Sequence, residues 1–440
     1  MFILLALIAI VALMVIGTTK YHVHPFLSLL LAAIVIGFIG DLSGTQITDT
    51  LVNGFGKTLG SVGIIIAFGT IIGTYLERSG GALSMANRVL KWVGEKNSIL
   101  AMNITGFIVS IPVFCDSGFV ILSSLNKAIS KRAKIPLIVL GISLAAGLYA
   151  THVFVPPTPG PLAAAAALDA NLGLVIILGL IIAIPVSLVG FFWAKYIGKN
   201  VEHSEIKNDV TEVNTDNLPT TRKSFTPIII PIVLIAIKSI TNYPSHPFGE
   251  GMIANIFNFI GNPIVALLIG VFFAFALKRN SKDATHFDWV SAGLKEAGII
   301  ILITGAGGAF GSILRATGIG DVIGSNFSNL QIGLFLPFII AAVLKTAQGS
   351  STVSIITTAA IVAPLLEPFG LASPIGRALT VLSVGAGAMT VSHLNDSFFW
   401  VVAQFTELDT ATALKSQTLS TLFQGLTGIA FVMLLGWLFI

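Results

Sequence analysis

Four short polar runs break an otherwise apolar sequence, and each carries side chains able to hold an ion or an anion. The first follows Ile111-Pro112-Val113-Phe114 and reads Cys115-Asp116-Ser117-Gly118. A carboxylate at the bilayer centre costs roughly 2.5–3.5 kcal/mol on insertion scales, so Asp116 calls for a partner or for a task such as binding substrate or carrying a proton. Asp-Ser-Gly also suits a helix cap, the plainer reading of the same residues. The second run, from Thr151-His152 through Val155-Pro156-Pro157-Thr158-Pro159-Gly160-Pro161, cannot continue a helix through its four prolines, which frees upstream carbonyls as ligands. The third, Gln348-Gly349-Ser350-Ser351-Thr352, sets hydroxyls just before a helix start, whose free N–H groups and positive dipole end favour an anion. Lys345 is the sole cation expected at that depth, either anchoring a substrate carboxylate or forming an ion pair with Asp116 or Asp396. The fourth run is Ser392-His393-Leu394-Asn395-Asp396-Ser397. Histidine as a residue type is the side chain that changes charge near physiological pH, so His152 and His393 suit a proton relay, while a lone buried histidine is as often a packing residue.

These runs nominate a substrate site of Asp116, Ser117, Thr158, Lys345, Gly349, Ser350, Ser351, Thr352 and Asn395, and a proton path of Asp116, His152, His393 and Asp396. No catalytic and no metal-binding residue is nominated, because the sequence holds no HExxH, no Cys/His cluster and no GxSxG. Gly56-Lys57-Thr58 looks like the end of a phosphate-binding loop, but Leu51 stands where that motif needs glycine. No cofactor is expected beyond a coupling ion, H+, with Na+ left open.

The elements that must position these residues are set by lipid. Only 10% of the 440 residues are charged and 55% are hydrophobic, with a mean hydropathy of +0.93, whereas soluble domains carry about 25% charged residues. Hydropathy places spans near 2–19, 25–40, 59–76, 136–165, 172–194, 226–240, 262–277, 298–314, 376–404 and 418–439, about ten crossings. The first is expected as a retained span, since it lacks a basic flank and a small-residue cleavage site. Two further apolar stretches, about 98–125 and 332–366, are interrupted midway and are expected as re-entrant hairpins. The basic residues are scattered singly and form no stripe, which excludes nucleic acid as a partner and leaves the lipid bilayer. Cys115 is the only cysteine, so no disulfide forms within the chain.

Basic residues orient the chain. With the N-terminus outside and both hairpins returning to their side of entry, Arg88, Lys91, Lys96, Lys127, Lys131, Arg132, Lys134, Lys195, Lys199, Arg222, Lys223, Lys278, Arg279, Lys282, Lys295 and Lys415 fall inside. Segments 161–171 and 241–261, on the outside, hold no Lys or Arg, as the positive-inside rule asks. The hydrophilic stretch at 196–225 reads as a cytoplasmic linker between residues 1–195 and 226–440. Motifs recur across it: Gly69-x-x-x-Gly73 and Gly307-x-x-x-Gly311, Ser79-Gly80 and Thr317-Gly318, His24-Pro25 and Asn262-Pro263, Ala146-Gly147 and Ala386-Gly387. The glycine pairs read as close-packing positions. The expected fold is therefore an all-α polytopic membrane protein of two inverted-topology repeats, each about five spanning helices plus one re-entrant hairpin. Its broken helices meet at the midplane, where secondary transporters hold their cargo.

Across essentially the whole chain the sequence resembles the gluconate:proton symporter (GntP) family, within the broader ion transporter superfamily. The resemblance rests on Thr151-His152 leading to Val155-Pro156-Pro157-x-Pro159-Gly160-Pro161, on Gly349-Ser350-x-Thr352-Val353 with Ala363-Pro364-Leu365, and on Ser392-His393-x-Asn395-Asp396 before Phe399-Trp400. It implies proton-coupled uptake of gluconate or a related small hydroxy acid across the bacterial inner membrane by alternating access, with spans 1, 2, 6 and 7 as scaffold. Gluconate carriers of that pattern have Glu, His and Arg where Asp116, Thr158 and Lys345 stand, so a shorter acid such as glycerate, or D-serine, stays open as cargo. An ion antiporter without organic substrate is the main rival, since intramembrane Asp and His would serve it equally. A membrane hydrolase would need a nucleophile–base pair such as Ser117 with His152, and a channel would need a filter or charge ring that the sequence lacks. A homodimer is compatible with this reading.

Overall fold

The computed structural model describes residues 2–199, 218–242, 248, 251–278, 285–318, 333–394 and 396–440, and all regular structure among them is helical. Before the linker come α1 (Phe2–Thr19), α2 (Pro25–Ile39), α3 (Gly44–Arg78), α4 (Gly81–Val93), α5 (Ser98–Val109), α6 (Cys115–Ala133), α7 (Leu137–Phe154), α8 (Pro159–Ala167) and α9 (Leu172–Gly198). After it come α10 (Thr221–Thr241), α11 (Met252–Ile260), α12 (Pro263–Phe275), α13 (His286–Ala316), α14 (Phe335–Gln348), α15 (Ser351–Val362), α16 (Pro374–Met389) and α17 (Ser397–Phe405). The last helix, α18 (Thr410–Phe439), carries one π turn at Leu414–Thr418. The all-α polytopic fold expected from the sequence is the one observed.

Local signals start the elements at matching places in the two halves. The two longest helices each open on a capping box: Ser43 with Gln46 before α3, and Thr285 with Asp288 before α13. The His24-Pro25 and Asn262-Pro263 pairs both act as caps. His24 Nδ1 accepts from the Phe26 amide at 3.3 Å and Asn262 Oδ1 from the Ile264 amide at 3.0 Å, with proline at N1 where its missing N–H costs nothing. Each half then repeats one order: a long capped helix (α3, α13), a helical hairpin (α5/α6, α14/α15), a broken helix (α7/α8, α16/α17) and a long closing helix (α9, α18).

The long helices α3 and α13 pack along each other. Tyr75 Oη lies 2.7 Å from His286 Nδ1, so the end of α3 meets the start of α13. A Cβ on Gly54 would stand 2.7 Å from Ser312 Cβ, so the start of α3 meets the end of α13. Equivalent helices thus run antiparallel, which is the inverted relation between the repeats. Around this pair lie α1, α2, α10 and α12, while α5–α9 and α14–α18 form a second bundle. Polar side chains knit that bundle. Asn103 Nδ2 donates to Ser143 O at 2.9 Å and Ser187 O at 3.2 Å, and Gln424 Nε2 donates to Ala146 O at 3.0 Å, the kind of interhelical hydrogen bond that supplies specificity in lipid.

Span boundaries differ from the hydropathy reading in instructive ways. Among the described residues five helical segments are long and apolar enough to cross alone: α3, α7 with α8, α9, α13 and α18. The pair α11–α12 is apolar enough to make a sixth if it counts as one span, and it is bent by 63° where Gly261 and Pro263 interrupt it. The span expected at 25–40 is the 15-residue α2, about 22 Å long, and that at 376–404 is cut in two between Met389 and Ser397. The spans expected at 59–76 and 298–314 lie inside helices of 35 and 31 residues, because the capping boxes start those helices a dozen or more residues earlier than hydropathy does. The first hairpin turns at Ser110–Phe114, with Cys115–Gly118 already in the first turn of α6, and it runs on to Ala133. Pro112 is what forces that earlier turn. The second hairpin turns at Gly349–Ser350, and the 12-residue helices α5 and α15 reach about 18 Å, too short for a ~30 Å core.

Candidate functional site

The four breaks expected from the sequence converge on one another. The turn of the first hairpin sits under the broken helix α7, with the Phe114 and His152 rings 5.9 Å apart. The second hairpin reaches the same helix, where Tyr149 Oη and Ser351 Oγ lie 2.5 Å apart. The break between α16 and α17 joins through Phe398, whose ring is 5.1 Å from Tyr149 and 6.1 Å from Phe119. His393 Nε2 lies 2.9 Å from Thr346 O in the last turn of α14. Every residue from Ile138 to Pro156, across the break after α7, is buried in protein, as backbone unpaired at membrane depth must be.

At the centre is an ion pair. Lys345 is 0% exposed, and its ammonium donates to Asp396 Oδ2 at 2.5 Å and to the Gly349 carbonyl. Asp396 also takes the Ser392 hydroxyl on Oδ2, and its Oδ1 caps α17 by accepting from the Phe398 amide at 3.1 Å. Of the two partners considered for Lys345, the fold selects Asp396. Asp116 faces Ser397 and the Asp396 carboxylate from the first turn of α6, takes Cys115 Sγ at 3.6 Å on Oδ2, and keeps Oδ1 buried without a hydrogen-bond partner. His152 Nδ1 and Gln348 Nε2 are likewise buried and unpartnered. Three of the breaks therefore each present one uncompensated polar atom, and such atoms are expensive unless a ligand or ordered water completes them. The charged groups here, Lys345, Asp396 and Asp116, sum to −1 with both carboxylates ionised.

Four helix N-termini point into this region, but they are not equivalent. Asp116 occupies the first turn of α6, Asp396 already caps α17, and Pro159 and Pro161 remove two early N–H groups from α8. That leaves α15. Gly349 takes φ +83°, which only glycine adopts freely, and turns the chain so that Ser350 Oγ caps the Val353 amide at 3.3 Å. The amides of Ser351 and Thr352 then lack helical partners by geometry and favour an anion. Ser351 is buried and Thr352 half-buried. Thr158 is buried at the α8 start, its hydroxyl donating to Val155 O at 2.6 Å. Ser117 lies beside Glu77 of α3, and His393 lies half-exposed at the rim. Asn395 falls outside the described residues. No group of three His, Cys, Asp or Glu among the described residues is arranged to hold a metal.

Tyr149 joins the site although the sequence did not single it out, and Gln348 and Ser392 join it although they were quoted in their polar runs without being nominated. Tyr149 stands three residues before His152, on the same face of α7, a spacing that could have drawn attention to it. The glycine pairs pack as expected. Added Cβ atoms on Gly69 and Gly73 would meet Pro157 O at 3.2 Å and Pro112 O at 2.5 Å, while those on Gly307 and Gly311 would meet Ile356 Cγ2 at 2.7 Å and Ala360 O at 3.1 Å. One glycine face of α3 thus abuts two of the breaks, and one of α13 abuts α15.

Comparison with known proteins agrees with this architecture. The model of the GntP family permeases matches residues 1–438. The gluconate permease of Pseudomonas aeruginosa is 34% identical over 439 residues, covering 98% of this chain and 96% of its own. The D-serine transporter DsdX of Escherichia coli (strain K12) is 30% identical and covers 97% of both chains. Among solved structures, the YdaH transporter of Alcanivorax borkumensis, described as having an unusual topology, superposes with a TM-score of 0.61 over 90% of each chain at 14% identity, a likeness of fold alone. The protein is a multi-pass inner-membrane permease and not an enzyme. By the family match along nearly its whole length, the chain belongs to the GntP family of permeases.

Proposed function

We propose that this permease takes up gluconate or a related small hydroxy acid together with a proton, by alternating access between the two bundles. The observation that carries this reading is the buried Lys345–Asp396 pair facing Asp116, beside the open N-terminus of α15. An anion entering a site already carrying −1 in a low-dielectric interior is strongly opposed unless a proton arrives with it. Asp116, with its unpartnered Oδ1, is the place to receive that proton. The anion's carboxylate is met by the Ser351 and Thr352 amides, and its hydroxyls by Ser351, Thr352 and Thr158. Relatives named for gluconate and for D-serine both fit a site that reads a carboxylate and an adjacent polar group. The α3 and α13 pair with α1, α2, α10 and α12 serves as the frame against which the hairpin bundle moves.

The test is uptake and counterflow of labelled gluconate, glycerate and D-serine in proteoliposomes, with and without an inward pH gradient. Wild type is expected to accumulate a hydroxy acid only with the gradient. Asp116→Asn keeps the turn of α6 but cannot lose or gain a charge, so it should retain counterflow and lose gradient-driven accumulation. Normal pH-driven accumulation by that variant would remove Asp116 from the coupling.

A further inference from the structure

A cavity of about 520 Å³ opens beside the start of α3 and the end of α13, outward of the converging breaks. Its floor includes Leu162, whose amide bonds to Thr158 O at 3.3 Å, so it ends one helical turn from a residue of the candidate site. Its other walls include Ala360 and Ala363 at the far end of α15, and Asp169 just before α9. The 27-residue α9 separates Asp169 from Lys195, placing the cavity on the face opposite the basic segments of the linker side. The basic residues on this face have no role in the positive-inside pattern, yet three of them, Lys57, Arg315 and Arg377, line this one cavity against a single carboxylate, Asp169.

The three are not alike. Arg377 is held in place, donating to Ala372 O and Leu168 O at 2.8 Å each, with Asp169 at 3.9 Å. Lys57 and Arg315 are exposed and form no ion pair among the described residues. Thr58, Ser61 and Ser312 add hydroxyls to the same wall. Apolar walls confine the field of unpaired cations and raise the local concentration of anions, and the volume matches that of small-molecule sites. We propose that this cavity is an antechamber that captures a small hydroxylated carboxylate through Lys57 and Arg315 before it descends past α8 to the site. The proposal rests on the reading that the cargo is a carboxylate.

Two measurements test it separately from that reading. The first uses full-length Ser61→Cys protein in proteoliposomes, with the parent protein's Cys115 reaction subtracted. An anionic sulfonatoethyl methanethiosulfonate should modify Cys at 61 about tenfold faster, relative to a cationic trimethylammonium reagent, than it modifies free cysteine. That preference should collapse with Lys57→Gln and Arg315→Gln together, and return with Lys57→Arg and Arg315→Lys, which keep the charge. The second is gluconate uptake, in which the double Gln variant should raise KM about tenfold at low ionic strength with kcat unchanged, the difference fading as salt screens it. An equal reagent ratio in wild type and double variant, or an unmoved KM, overturns the antechamber. A wild type that moves no carboxylate, while the thiol preference holds, overturns the cargo reading alone.

Discussion

The Lys345 ammonium is fully enclosed and meets the Asp396 carboxylate at 2.5 Å, so its charge is spent within the protein before any substrate arrives. Removing one member of a buried pair leaves the other uncompensated, at a cost of about 3–5 kcal/mol, whereas removing both is far milder. Lys345→Gln and Asp396→Asn should therefore each lower the thermal unfolding midpoint in detergent more than the two together. A double variant no more stable than the worse single would show that the pair is not what these residues contribute. The lysine also bonds the Gly349 carbonyl and so holds the turn before the α15 N-terminus in place.

Elements are held together where side chains are smallest. Gly73 lets α3 lie against the turn of the first hairpin, where a Cβ would come within 2.5 Å of Pro112 O, a backbone atom that cannot rotate away. Gly60, on the same helix, has nothing within 4 Å of its added Cβ. Gly73→Ala should thus slow transport and destabilise the protein by about 1–3 kcal/mol, the range for overpacking. Gly60→Ala should leave transport unchanged and be neutral or stabilising by up to about 1 kcal/mol through helix propensity. Parallel unfolding curves and uptake rates for the two variants decide this. Equal effects would mean that propensity, and not the contact with the hairpin, governs the helix.

At the scale of the whole molecule, α3 and α13 run antiparallel, so equivalent elements of the two halves point in opposite directions. From the distribution of Lys and Arg we predict Lys199 on the cytoplasmic side and Asp169, at the other end of α9, outside. Single cysteines at these two positions in inside-out and right-side-out vesicles should label from opposite faces, Lys199→Cys from the cytoplasmic side only. Labelling of both from one face would break the inverted arrangement, and labelling with the sides exchanged would reverse the orientation alone.

The side chains that converge at the candidate site were legible because lipid makes polar interruptions conspicuous: Asp116, His152, Lys345 and Asp396 stand out from apolar runs, and motif recurrence pointed to a repeat. Helix lengths were less legible, since hydropathy sees the lipid-facing part of α3 and α13 but not the amphipathic starts that capping boxes add. Pairing was not legible at all. Lys345 had two aspartates within reach of any plausible fold, and only the crossing of α14 beside the α16–α17 break brings Asp396 to it, leaving Asp116 with an unpartnered oxygen. Lys57 and Arg315 were invisible as a pair for the same reason, being 258 positions apart on antiparallel helices whose glycine faces bring them to one cavity. Sequence by itself determined that the chain lives in lipid, that it repeats, and which residues must be sheltered there, because burying a polar group in hydrocarbon has a large and local cost. Tertiary structure decided which sheltered charges neutralise one another and which stay open to a ligand, because that depends on distances of a few ångströms between segments far apart in the chain.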